Sequence, residues 1–139
     1  MIKITDDMRR LVDNALADGF PCILATASPV GEPSIGYRGS MMVWDDDSLA
    51  YWERSKRTGL ENIEANPKVA VIFRNTKERQ SWKFYGDATV HRDGPLRDQV
   101  LARTIQPELD RDPELQGYGV IIRLSRITLS NGTVVQERE

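Results

Sequence analysis

Residues 35–54 read IGYRGSMMVWDDDSLAYWER, and the way this stretch folds decides the architecture of the chain. Residues 35–44 alternate well enough for a strand, the acidic run DDDS occupies 45–48, and a second strand-like run, LAYWER, fills 49–54. A period of two marks a half-buried strand, and clustered Asp and Ser between two such runs mark a tight turn. The stretch reads as a hairpin in which residues near Trp44 pair with those near Leu49. Consecutive acids at a hairpin end describe a solvated turn better than a metal site.

Working outward, CILATA at 22–27 reads as a buried strand and SPVGEPS as the connection out of it. Before it, TDDMRRLVDNALADG spaces Met8, Leu11, Val12, Ala15 and Leu16 along one helical face. Thr5 suits the N-cap, Asp6 and Asp7 the first turn, and Gly19 the stop. Downstream, residues 56–65 predict a short helix carrying Leu60 and Ile63, closed by Asn66-Pro67 because a residue before proline avoids helical geometry. KVAVIF (68–73) and SWKFYGDATVH (81–91) are the fourth and fifth strands, the latter with Gly86 as a bulge candidate. GPLRDQVLARTI (94–105) has Pro95 near a helix start and helical spacing of Leu96, Val100 and Leu101, whereas QPELDRDPELQ (106–116) reads as a loop. In GYGVIIRLSRITL (117–129) the apolar phase slips between Leu124 and Ile127, which predicts a bulge in the sixth strand. Asn131-Gly132 then turns the chain into a short last strand, VVQ. The expected fold is mainly β (α+β): one domain over 1–139, a six-stranded antiparallel barrel with about three flanking helices.

Composition narrows the function. The chain has 139 residues, 40% hydrophobic and 29% charged, with a net charge of −2. That balance argues against a nucleic-acid binder, which needs a basic surplus or stripe. No apolar run approaches the ~20 residues of a membrane span, and no secretory signal is visible, so a cytoplasmic protein is expected. The single cysteine, Cys22, has no partner for a disulfide and reads as a small core residue. His91, the only histidine, lies late in a strand among charged neighbours and reads as a surface residue. Met41 and Met42 straddle a strand and read as core filling.

Residues 54–67, RSKRTGLENIEANP, carry the chemistry. A helix begins within Ser55–Thr58, capped either by Ser55 or by Thr58 with Glu61 as a capping box. In both cases free N–H groups and the positive helix end lie beside Arg54, Lys56 and Arg57, the ingredients of a phosphate site. Arg38 and Ser40, two apart on a strand, leave one face of the sheet. The hairpin brings Arg38 towards Arg54, with Glu53 as the one local acid, so the arginines call for a shared anion. Neither glycine-rich phosphate fingerprint, G-x-G-x-x-G or G-x-x-x-x-G-K, occurs.

The runs CILATASPVGEPSIGYRGSMMVWDDDSLAYWE, KRTGLENIEANPKVAVIF, ERQSWKFYGDATVHRDGP and YGVIIRLSRITLSNG, in this order, resemble the pyridoxamine 5'-phosphate oxidase-related, FMN-binding split-barrel family. The small FMN-binding proteins of that family are most similar in length. The resemblance implies a six-stranded split barrel, a homodimer, and FMN at two sites on the dimer interface. It places the FMN phosphate on Arg38, Gly39 and Ser40 and on Lys56, Arg57 and Thr58, with Arg54 ranked below Arg57. It further suggests Gln80 and Ser81 as ring or ribityl contacts, and Trp52 and Glu53 near the flavin edge. The true oxidase's C-terminal arginine and histidine have no counterpart in VVQERE, so pyridoxine-phosphate oxidation is not expected. The implied activity is hydride or electron transfer to or from a small molecule. The alternatives are a flavin-binding electron carrier, or a split barrel holding a deazaflavin or haem.

Overall fold

The computed structural model describes residues 1–139. Its strands are β1 (Cys22–Ala27), β2 (Pro33–Arg38), β3 (Met42–Asp45), β4 (Ser48–Glu53), β5 (Lys68–Asn75), β6 (Gln80–His91), β7 (Tyr118–Leu129) and β8 (Val134–Glu137). They form one sheet in the order β2-β1-β5-β6-β7-β4-β3, with β8 paired to the far half of β7, and every pairing is antiparallel. The helices are α1 (Asp6–Asp13), α2 (Thr58–Ala65), α3 (Gly94–Arg103) and the single turn α4 (Gln106–Leu109). This is the expected mainly β split barrel, built from eight strands rather than six.

The hairpin of the opening stretch forms, with Val43 opposite Leu49 and Met42 opposite Ala50. The correction lies in its first arm. Residues 35–44 are not one strand: the ladder breaks at Gly39–Ser40–Met41, so that β2 pairs with β1 while β3 pairs with β4. The expected Arg38/Ser40 alternation therefore ends at Arg38. β8 is the short last strand expected after Asn131-Gly132, here paired with β7 as the eighth strand.

Local signals account for most remaining boundaries. Thr5 caps α1, its Oγ1 accepting from Met8 N at 3.1 Å, although the helix ends at Asp13, before Gly19. Asn66 closes α2 in extended geometry. Proline opens α4 within the stretch expected to be a loop. The two bulge signals meet at one irregularity: Tyr85 faces Arg126 and Gly86 faces Leu124, which leaves Ser125 as the extra residue. Gly86 is required there, since a Cβ would lie 2.2 Å from the Arg123 carbonyl oxygen.

The barrel interior is one cluster of 24 buried apolar residues, including Leu24, Val43, Phe73, Phe84, Ile122 and Leu124. A smaller cluster of Met42, Ala50, Trp52 and Val100 lies where α3 covers the other face of β4, so β4 is buried along its whole length. Cys22 belongs to the main core, and burial pushes its thiol up to about 12. The border strand β3 is occupied by side chains: Asp13 Oδ1 accepts from Val43 N at 2.8 Å, and Arg103 donates to Val43 O at 2.8 Å and Trp44 O at 2.9 Å.

The outer face of β2, β1 and β5 has no such cover. The register aligns Tyr37, Ile23 and Ile72 in one row and Ile35, Ala25 and Ala70 in the next. Ile35 is 74% exposed, Tyr37 69% and Ile72 37%. No helix is long and apolar enough to cross a membrane.

Candidate functional site

Strand alternation puts Ser34, Gly36 and Arg38 on the face of β2 opposite Ile35 and Tyr37. There they meet α2. A cavity of about 180 Å3 lies between them, lined also by Thr26, Arg57, Thr58 and Gly59. Arg57 is the N-cap residue of α2 and makes no side-chain capping bond; the first intrahelical bond is Glu61 N to Arg57 O. Neither Ser55 nor Thr58 caps the helix. Its first-turn amides therefore point out of the helix end with no capping side chain, beside a cation and several hydroxyls.

Arg38 lies in a slot cut by two glycines. A Cβ on Gly36 would lie 2.9 Å from its Nη1, and one on Gly59 2.7 Å from its Nη2. Nη1 donates to Tyr37 O at 2.9 Å, and Nη2 approaches Glu53 Oε2 at 3.4 Å. The side chain of Glu53 is 2% exposed, and its other oxygen accepts from Ser55 Oγ at 3.1 Å. Arg38 is thus neutralised by the protein's own acid rather than left for a shared anion. Two buried polar atoms in this layer remain unpartnered, Arg38 Nε and the Tyr51 hydroxyl. Burial pushes the Tyr51 phenol well above its ordinary value, Glu53 adding to the effect, so it stays protonated.

Of the other expected residues, Trp52, Glu53 and Arg54 line a small hollow of about 30 Å3 together with Arg38 and Glu108. Arg54 Nε reaches Glu108 Oε1 there at 4.0 Å. Gly39 backs onto the Glu108 carboxylate, which an added Cβ would meet at 3.1 Å. Ser40 is buried, accepting from Trp52 N at 2.9 Å and donating to Trp52 O at 3.2 Å, so its hydroxyl ties the break between β2 and β3 to β4. Lys56 turns away: its Nζ donates to Gln116 O at 3.0 Å and lies 4.7 Å from the Tyr118 ring. Gln80 and Ser81 line a separate hollow of about 240 Å3 with Arg74 and Arg79. The first cavity gathers Arg38, Arg57 and Thr58 of the expected set, together with Thr26, Ser34, Gly36 and Gly59, which sequence reasoning missed. The period-two phase of β2 carries the signal for Ser34 and Gly36, once the strand is started at Pro33.

Trp52 is turned into the small core, its indole Nε1 donating to Asp112 Oδ2 at 2.8 Å. The same carboxylate accepts from Gln116 N at 3.0 Å and Gly117 N at 2.8 Å. Burial alone would raise its pKa; the two amides and the indole outweigh burial and hold it below the ordinary aspartate value. A depressed folded value means that this stabilisation is complete above about pH 4, the unfolded aspartate range, and is lost as pH falls through the folded pKa. Asp112→Ala should cost about 1–3 kcal/mol at pH 7, because the buried indole N–H loses its acceptor. In urea melts the gap to wild type should close as the pH drops below the aspartate range.

A family profile described as pyridoxamine 5'-phosphate oxidase matches residues 8–123. No curated protein matches the chain. Among solved structures, HupZ of Group A Streptococcus is 25% identical, with 96% of this chain and 99% of that one covered and a TM-score of 0.78. A pyridoxamine 5'-phosphate oxidase candidate from Lactobacillus delbrueckii is 27% identical over 91% of this chain and 93% of that one, with a TM-score of 0.70. An FMN-binding protein from Syntrophomonas wolfei is similar in fold, at 13% identity, 96% and 89% coverage and a TM-score of 0.69.

Proposed function

The chain belongs to the pyridoxamine 5'-phosphate oxidase family, and on that premise we propose that it is a flavoprotein binding FMN through the cavity between β2 and α2. The observation that carries this reading is the α2 N-terminus without a side-chain cap, facing Arg57 and the hydroxyls of Thr26, Ser34 and Thr58. Oriented amides, one cation free of any acid, and small hydroxyls are what a phosphate needs. The buried, unpartnered Nε of Arg38 fits the same picture, since it offers a donor that no protein group takes.

The flavin, when bound, supplies hydride or single-electron chemistry. The chain's part is to hold and orient it. Arg57 and the α2 amides fix the phosphate, Arg38 and Glu53 form a neutral floor, and Gly36 and Gly59 leave the room that the guanidinium fills. The reaction proposed is oxidation or reduction of a small molecule other than pyridoxine phosphate. The segment after β7 forms β8 and ties Arg138 to Asp47 at 3.0 Å, bringing no arginine or histidine to the cavity.

We further propose that two copies pair through the apolar outer face of β2, β1 and β5. That pairing would cover Ile35 and Tyr37. One set of measurements tests this reading. Light scattering should give twice the 15.8 kDa chain mass, and added FMN should be quenched on binding. Arg57→Ala should weaken FMN at least about tenfold, the loss of a charge-assisted contact of ~1.5–3 kcal/mol. Equal FMN affinity in wild type and Arg57→Ala would remove the site.

A further inference from the structure

The turn between β5 and β6 gathers positive charge that no acid answers. The register sets Arg74 opposite Ser81 and Asn75 opposite Gln80, and the chain between them reads Thr76-Lys77-Glu78-Arg79. Glu78, the one acid of the turn, is drawn off by Arg10 of α1 at 3.2 Å. No ion pair of the chain involves Arg74, Lys77 or Arg79. The hollow of about 240 Å3 at this turn is lined by Arg74, Asn75, Thr76, Arg79, Gln80 and Ser81, so its wall holds two guanidiniums and no carboxylate. Its deeper groups are unused donors. Asn75 is 3% exposed and accepts from Glu78 N at 3.0 Å, while its Nδ2 donates to no protein group. The Ser81 hydroxyl is buried and has no partner in the protein. Buried polar groups are rarely left so, because the unmade bond is costly.

Arg79 adds a backbone observation. Its φ of +55 lies in the left-handed region, where glycine is free of strain and a side chain is not. A cation is thus kept at a position that disfavours it. The donor set answers to an oxyanion, which guanidiniums grip bidentately. A carboxylate offers two oxygens and a single charge. A phosphate monoester carries about −1.5 to −2 near pH 7 and three strong acceptor oxygens. Two arginines, the Asn75 amide and the Ser81 hydroxyl match the phosphate in both charge and number of donors. The volume falls below the ~300–1,000 Å3 of sites that enclose a whole small molecule, so the hollow takes the anionic head and leaves the rest of a ligand outside. The α2 cavity is a different place. Arg74 shares the outer face of β5 with Ile72, whereas that cavity lies on the face of β2 opposite Ile35 and Tyr37.

We infer that the β5–β6 turn is an anion site in its own right, which takes a phosphate group, free or on a small ester, through Arg74, Arg79, Asn75 and Ser81. It does not depend on the flavin reading. Calorimetric titration of the full-length Arg57→Ala protein, whose α2 cavity has lost its unpaired cation, tests it at low salt, where screening is weakest. The probes are inorganic phosphate and glycerol 3-phosphate. At least one of them should saturate a single site per chain with a Kd of about 1 mM or tighter. An ester that binds as tightly as the free ion identifies a phosphorylated small molecule; binding of the free ion alone identifies inorganic phosphate. Adding Arg74→Gln or Arg79→Gly should weaken that binding at least about tenfold. Both side chains are exposed, and Arg79→Gly also relieves the left-handed backbone, so urea midpoints no lower than the parent's will show that the loss is not unfolding. No saturable binding of either probe, or binding that both substitutions leave unchanged, would overturn this inference while the flavin reading stands.

Discussion

Gly86→Ala should destabilise the chain by at least about 3 kcal/mol, because overpacking against backbone cannot be relieved by a side-chain rotation. The added methyl would lie 2.2 Å from Arg123 O and 3.0 Å from Ile122 Cγ2. The obstructing atom is a carbonyl in the longest ladder of the sheet, which runs from Trp82 opposite Leu129 to His91 opposite Gly119. Relief requires β6 and β7 to separate at the bulge, opening the core at Phe84 and Leu124. Against a typical total of about 5–15 kcal/mol, such a loss leaves little folded protein in mild denaturant. Gly94→Ala is the matched comparison, with φ +87 but nothing within 4 Å. It should cost only the left-handed backbone penalty of about 1–2 kcal/mol. Equal urea midpoints for the two variants would show that the strands can part cheaply there.

Glu53→Leu should cost about 3–5 kcal/mol, the usual result of removing one partner of a buried ion pair. The Glu53 side chain is 2% exposed and that of Arg38 17%, and Glu53 is the only carboxylate paired with that guanidinium. The two glycines that make room for Arg38 also confine it, so the stranded cation cannot swing out to water without disturbing α2. Adding Arg38→Leu to Glu53→Leu should restore much of the lost stability, since an apolar pair of similar volume often substitutes for a buried ionic one. Chemical denaturation of the two single variants and the double reads the coupling directly. A double variant no more stable than Glu53→Leu alone would place the cost in the lost Ser55 contact or in packing. The pair also separates structure from ligand: if the double variant folds and still binds FMN, Arg38 is floor rather than clamp.

Most strands were legible because alternation and turn residues agree in β1, β4, β5, β6 and β7, where one face lies on the core. The break between β2 and β3 was not. Residues 41–43 are all buried, so the apolar pattern continues through a bend that only long-range pairing reveals. α4 was hidden because four residues are too few for any helical period. At the site, the basic helix start and Arg38 could be found locally, and so could Glu53 as the nearest acid. What no local reading could supply was Glu108, which lies more than fifty residues from Arg54 along the chain. Trp52 illustrates the same limit: its position on β4 suggests exposure to a ligand, whereas Asp112 and the covering α3 turn it inward.

The way β3 is fastened has a consequence for assembly. With Asp13 holding the Val43 amide and Arg103 holding the Val43 and Trp44 carbonyls, three backbone groups that a foreign strand would pair with on that margin are already taken. Unguarded margins invite end-to-end stacking into ribbons. Here such stacking is opposed on the β3 side of the sheet.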